Sequence, residues 1–166
     1  MPRGIATVLA AAGALAALAA APTALADDRV CRGTIGAVSV DDVKVPAGAS
    51  CTLARTRVEG NVIVGRGSTL RATGARVDGN VQAEGARLVR VVGSAVGGSV
   101  QVKQGRSAEI LRNRVEADVQ LFSNRGALAV AGNRVGGNLQ CKSNRPAPTG
   151  GRNVVEGNRE DQCARL

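Results

Sequence analysis

VEGNVIV at residues 58–64 returns as VDGNVQA at 77–83, VGGSVQV at 96–102, VEADVQL at 115–121, VGGNLQC at 135–141 and VEGNRED at 155–161. The motif starts are spaced 19, 19, 19, 20 and 20 residues apart. Six copies at so even a spacing mark a solenoid, in which each repeat is one structural unit stacked on the next. A weaker copy precedes them. Val43-Lys44-Val45 lies 19 residues before Val62-Ile63-Val64, and Cys51 lies 19 before Leu70.

Inside each repeat the apolar residues alternate with polar ones. Asn61-Val62-Ile63-Val64 is followed by a Gly65–Gly67 corner, then a second alternating run, Leu70-Arg71-Ala72. Equivalent second runs are Val89-Arg90-Val91, Ala108-Glu109-Ile110 and Leu128-Ala129-Val130. Period-two alternation is the signature of strands with one buried face. Nineteen extended residues reach at most roughly 65 Å, enough for a small triangular coil and too little for a helix plus a strand. Composition agrees. Phe122 is the only aromatic residue, and Trp and Tyr are absent. A core of valine, leucine and alanine alone must be narrow. The expected fold is all-β: a single-stranded parallel β-helix of about six coils of 19–20 residues, forming a rod on the order of 30 Å long at the strand spacing of ~4.8 Å.

Stacking would place Val62, Val81, Val100, Val119 and Leu139 in one interior ladder. Val64, Ala83, Val102, Leu121 and Cys141 make a second, and the motif-opening valines 58, 77, 96, 115, 135 and 155 a third. Asn61, Asn80, Ser99, Asp118, Asn138 and Asn158 fall at one corner. Short polar side chains at a corner satisfy local backbone groups, so this ladder reads as architecture rather than a metal or ligand site.

The first residues are of another kind. Pro2 and Arg3 precede an alanine-rich apolar run from Ile5 to Ala21, broken by Pro22 and followed by Ala24-Leu25-Ala26. This is the pattern of a secretory signal peptide cleaved between Ala26 and Asp27. No transmembrane span is expected after its removal. The expected organisation is a signal peptide at 1–26, an N-terminal cap at 27–38, the β-helix at 39–154 and a C-terminal cap at 155–166. The expected location is secreted, extracellular or cell-wall associated. In an exported chain four cysteines serve best as disulfides. Cys31 lies just before the first coil and Cys51 within it; Cys141 lies in the last full coil, and Cys163 two residues beyond Asp161, the position stacked on it. Only the pairs Cys31–Cys51 and Cys141–Cys163 join neighbouring coils, because bonded cysteines need Cα atoms within ~7 Å.

The formal net charge is +9 and the sequence pI about 10.9, with no histidine. Excess basic charge points to an anionic partner. Two outward ladders stand out. Gln82, Gln101, Gln120 and Gln140 align one position after the buried Val or Leu, and Arg57, Arg76, Arg114 and Arg134 just before the first valine of their coils. The binding residues expected from the sequence are Gln101, Lys103, Arg106, Gln120, Phe122, Arg125, Gln140, Lys142 and Arg145, with Phe122 facing outward between Lys103 and Lys142. An anionic cell-wall polymer or acidic polysaccharide suits such a face. Nucleic acid does not, because aromatic stacking platforms are missing. No nucleophile motif, phosphate loop or metal-ligand spacing appears. The chain therefore reads as non-catalytic, with no cofactor and no metal, and a carbohydrate-active enzyme is only the third reading. The disulfides at both ends and the charges of Arg159, Glu160 and Asp161 oppose end-to-end growth, so a monomer is expected.

The stretch NRVGGNLQCKSNRPAPTGGRNVVEGNREDQC, residues 133–163, resembles the C-terminal part of a group of small exported β-helix proteins of actinomycetes. More distantly, the valine-rich, glycine-cornered coils resemble bactofilins, polymer-forming β-helices of bacteria. The first resemblance implies a shared fold and carries no activity. The second implies a right-handed coil and, as an alternative function, a self-assembling structural element. The export signal and the cysteines at both ends depart from the bactofilin pattern.

Overall fold

The computed structural model describes Met1 and residues 28–166. The signal peptide expected at 1–26, its cleavage site and Asp27 lie outside the described residues, Met1 apart. Residues 28–166 form a β-solenoid with three parallel sheets and no helix. Each coil contributes a strand to sheet A, then sheet B, then sheet C. In one central coil these are Val81–Glu84, Leu88–Val92 and Ala95–Val96. Sheet A has eight strands and sheets B and C seven each, about seven turns in all.

The registers are those that the repeat spacing implies. On sheet A, Val62, Val81, Val100, Val119 and Leu139 pair in succession. On sheet B, Leu70 pairs with Val89, Val89 with Ala108, and Ala108 with Leu128. On sheet C, Val58, Val77, Val96, Val115, Val135 and Val155 stack. All these side chains are buried except Val155 on the last coil, which packs against the core at its edge. Each valine taken out of water contributes ~1.5 kcal/mol or more. A single coil has only half an interior, so the contribution depends on its neighbours.

Toward the N-terminus the ladders run further than the six valine motifs do. Arg29–Val30 pairs with Val43–Val45, Thr34–Ile35 with Ser50–Ala54, and Ser39–Val40 with Arg57–Val58. The segment expected as an N-terminal cap thus supplies strands to the first coil. Its motif is hidden because short strands there carry serine and threonine outward. At the other end Val154–Val155 and Arg159–Asp161 continue sheets C and A. The chain then closes the rod with a turn. Cys163 N–H donates to the Glu160 carbonyl at 3.1 Å, and Leu166 N–H to the Cys163 carbonyl at 3.1 Å. The Leu166 side chain packs on the core.

The cysteines pair as the coil geometry requires. Cys31 bonds Cys51 with Cα atoms 5.5 Å apart, and Cys141 bonds Cys163 at 5.2 Å. Both bridges join adjacent coils, one at each end of the rod.

Three corners link the sheets, and polar side chains hold all three. At the C-to-A corner the backbone N–H of each coil donates to the side-chain oxygen of the coil before it. Asn80 donates to Asn61 Oδ1 at 3.0 Å and Ser99 to Asn80 Oδ1 at 2.8 Å. Asp118 donates to Ser99 Oγ at 3.2 Å, Asn138 to Asp118 Oδ1 at 2.7 Å and Asn158 to Asn138 Oδ1 at 2.8 Å. This ladder is architectural, as its residue types suggest. The other two corners contain buried amide ladders that the valine motif does not announce. Asn113, Asn133 and Asn153 form one, and Asn124, Asn144 and Gln162 the other. The asparagines' spacing of 20 residues was the available signal, and Gln162, 18 residues after Asn144, falls outside it. Among the described residues no buried side-chain polar atom lacks a partner.

Candidate functional site: a basic corner between sheets A and B

The corner from sheet A to sheet B is where the expected binding residues meet. The sheet A strands Val100–Lys103, Val119–Phe122 and Leu139–Lys142 end in Lys103, Phe122 and Lys142, which stack in register with Phe122 in the middle. The next residue in each strand, Gln104, Ser123 or Ser143, takes a positive φ of 53–59° that turns the chain. Gly105, Asn124 and Asn144 follow, buried. Asn124 and Asn144 direct their Nδ2 groups inward to the carbonyls of Val102 and Leu121, at 2.9 and 2.7 Å. These amides pin the corner from inside and leave the following residue outside.

That following residue is arginine in four successive coils, from Arg87 to Arg145. Arg106 N–H donates to the Ala86 carbonyl, Arg125 to Gly105 and Arg145 to Asn124, each at 2.9 Å. Arg87, Arg106, Arg125 and Arg145 therefore form a column along the rod, one per coil, and all four are exposed. Neighbouring coils are ~4.8 Å apart, the strand spacing. Arg66 enters the same corner one coil earlier, with its Cγ close against Gly85. From Arg66 to Arg145 this corner carries seven basic residues (Arg66, Arg87, Lys103, Arg106, Arg125, Lys142, Arg145) and one carboxylate, Glu84.

Sheet C carries as regular an arginine ladder, with a different electrostatic outcome. Arg57 bonds Asp78 at 2.7 Å, and Arg76 reaches the same carboxylate at 3.2 Å. Arg114 pairs with Glu116 at 2.7 Å and Arg134 with Glu156 at 3.0 Å. The hydrogen bond and charge of Glu116 push the Arg114 guanidinium further above its ordinary value. This ladder is neutralised side chain by side chain. Among the described residues, no ion pair within 4.0 Å involves Lys103, Arg106, Arg125, Lys142 or Arg145. Cations held close together without counter-charge raise the local potential and attract anions.

The glutamines occupy the outward column of sheet A beside this corner, with Gln82, Gln101, Gln120 and Gln140 in register. Gln120 Nε2 donates to Gln140 Oε1 at 3.0 Å, and Gln140 Nε2 to Glu160 Oε2 at 2.8 Å. Phe122 is half-buried, with Lys103 Nζ 5.9 Å from its ring centroid. A shallow depression of about 290 Å³ lies beside Lys103, lined also by Ile63, Gln82, Glu84 and Gln101. Among the described residues no group of three or more His, Cys, Asp or Glu gathers as metal ligands would.

Comparison of the chain with protein-family models, with curated proteins and with solved structures finds no match.

Proposed function

We propose that this chain is an exported, non-catalytic β-solenoid that binds an anionic polymer through the corner between sheets A and B. The observation that carries this reading is the contrast between two arginine ladders on one rod. The sheet C ladder meets a carboxylate at each of its arginines, whereas the corner column has none within ion-pairing distance among the described residues. A column of like charges costs self-repulsion, and an anionic ligand offsets it. Linear repetition also matches a repetitive partner. The two disulfides support an oxidising compartment and so an extracellular or wall-associated setting. The closed C-terminal turn favours this reading over the self-assembling alternative.

A charge-matched comparison tests it. Arg106, Arg125 and Arg145 are changed together to Gln in one variant. Arg55, Arg112 and Arg152, exposed at the opposite B-to-C corner, are changed to Gln in the other. Both lose the same charge. On immobilised heparin the first variant should elute at clearly lower salt than the second, because surface charge pairs are screened over ~8 Å at physiological ionic strength. Equal shifts in the two variants would reduce the interaction to general basicity and remove the site.

A further inference from the structure

We infer that the polymer is an acidic polysaccharide whose chain runs along the rod axis, carboxylates on the arginine column and sugar rings on the adjoining strip of sheet A. This rests on the reading of the corner as a polyanion site and adds the ligand's class and direction. The direction follows from the hydrogen bonds that stack Arg106 over Arg87, Arg125 over Arg106 and Arg145 over Arg125. The cations repeat along the axis at the strand spacing, ~4.8 Å. A polymer laid across the rod would meet one arginine of the column; one laid along it meets four.

The class follows from what lies beside the column. A bare polyphosphate needs only cations. The strip next to the arginines instead mixes apolar, amide and carboxylate groups. Phe122 offers a half-exposed ring between two lysines, and Ile63 is 46% exposed at the edge of the depression. Gln120 and Gln140 spend side-chain amide hydrogens on the ladder, but Gln82 and Gln101 make no side-chain hydrogen bond to the protein among the described residues. Those two amides and Glu84 line the depression together. Amides and a carboxylate donate to and accept from hydroxyls, and Glu84 repels a ligand charged on every unit face. A sugar ring has an apolar face for Phe122 or Ile63, hydroxyls for the amides, and in a uronic acid one carboxylate per ring for the column. On the last coil Glu160 and Asp161 follow in sheet A, which sets an acidic end to the track.

Homogeneous oligogalacturonates of increasing length, and linear polyphosphates of matched charge, would be titrated by calorimetry into the oxidised protein and into Gln101→Ala, Phe122→Ala, Arg87→Gln and Arg145→Gln variants with wild-type melting curves. Galacturonate affinity should climb with length until the oligomer spans the four arginines, then flatten. Gln101→Ala and Phe122→Ala should each weaken galacturonate by about tenfold, about 1.4 kcal/mol, and leave polyphosphate unchanged. Arg87→Gln and Arg145→Gln should weaken only oligomers long enough to reach them. If matched polyphosphate binds as tightly and neither sheet A variant discriminates, the polysaccharide inference falls while the polyanion reading stands. A length dependence that flattens at a single sugar overturns the axial direction. Binding of neither probe overturns both readings.

Discussion

Asn133 stands directly on Asn153: its backbone N–H and its side-chain Nδ2 both donate to the same Asn153 Oδ1, at 3.0 and 2.9 Å. The other Nδ2 hydrogen goes to the Ile110 carbonyl at 2.7 Å, and Asn133 Oδ1 in turn receives both donors of Asn113. One buried amide thus satisfies four groups in the two flanking coils.

Removing that amide should cost far more than its size suggests. Asn133→Ala takes away the partner of the Asn113 backbone N–H, of one Asn113 Nδ2 hydrogen and of the Ile110 carbonyl inside the rod, while Asn153 Oδ1 keeps the backbone N–H of residue 133. Each buried unsatisfied group costs about 1–3 kcal/mol. A loss of about 3 kcal/mol or more in urea unfolding is expected. An exposed polar residue such as Ser123, changed to Ala, should lose a few tenths by the same measurement.

The two end disulfides should contribute separately. Each closes a loop of about 20 residues, worth about 3 kcal/mol in the chain-entropy description. Replacing Cys31 and Cys51 with Ser, or Cys141 and Cys163, should each lower stability by about that amount. A peptide map of unreduced protein should show only the short-range pairs.

Two glycine substitutions should separate crowding from backbone strain. A Cβ on Gly79 would sit 2.6 Å from the Gly60 carbonyl oxygen, which cannot move without breaking the corner. Gly93 has a φ of +57° with nothing within 4 Å of a new Cβ. Gly79→Ala should lose about 1–3 kcal/mol through overpacking. Gly93→Ala should lose about 1–2 kcal/mol from the left-handed backbone, and most of that should return in Gly93→Asn.

The C-terminal turn should control assembly. Residues 162–166 lie over the last coil, tied by Cys163 and by Leu166 on the core. Their deletion leaves the Arg159–Asp161 strand with an open edge, a template for pairing with another chain. The oxidised chain of residues 27–166 should sediment as a monomer, and the form without 162–166 should self-associate. Filaments of the oxidised intact protein would favour the self-assembling alternative.

Much of the fold was legible in the chain itself. Strict alternation assigns each residue to the inside or outside, and the repeat spacing assigns each to a partner one coil away. Val62, Val81 and Val100 therefore had to stack whatever the details of the corners. The cysteine pairs followed from the same arithmetic. The N-terminal coil was less legible, because Thr34–Ile35 and Ser39–Val40 are too short to show a period. The burial of the Asn113 and Asn124 ladders is not legible in the sequence, because asparagine at a corner reads equally as a solvated turn. Burial distinguishes the two, and burial belongs to the stacked molecule.

Sequence periodicity by itself determined the solenoid and the registers of its central coils, because these depend only on a residue's position modulo the coil, and the disulfide pairs followed from which cysteines lie on neighbouring coils. Tertiary structure decided which cations are free. Arg57 meets Asp78 from 21 positions away and Arg134 meets Glu156 from 22, pairings in which long side chains lean across coils. Arg106, Arg125 and Arg145 have no such carboxylate within reach on the neighbouring coils. Charge composition counts all these arginines alike; Coulomb attraction depends on distance, and only the folded rod sets the distances.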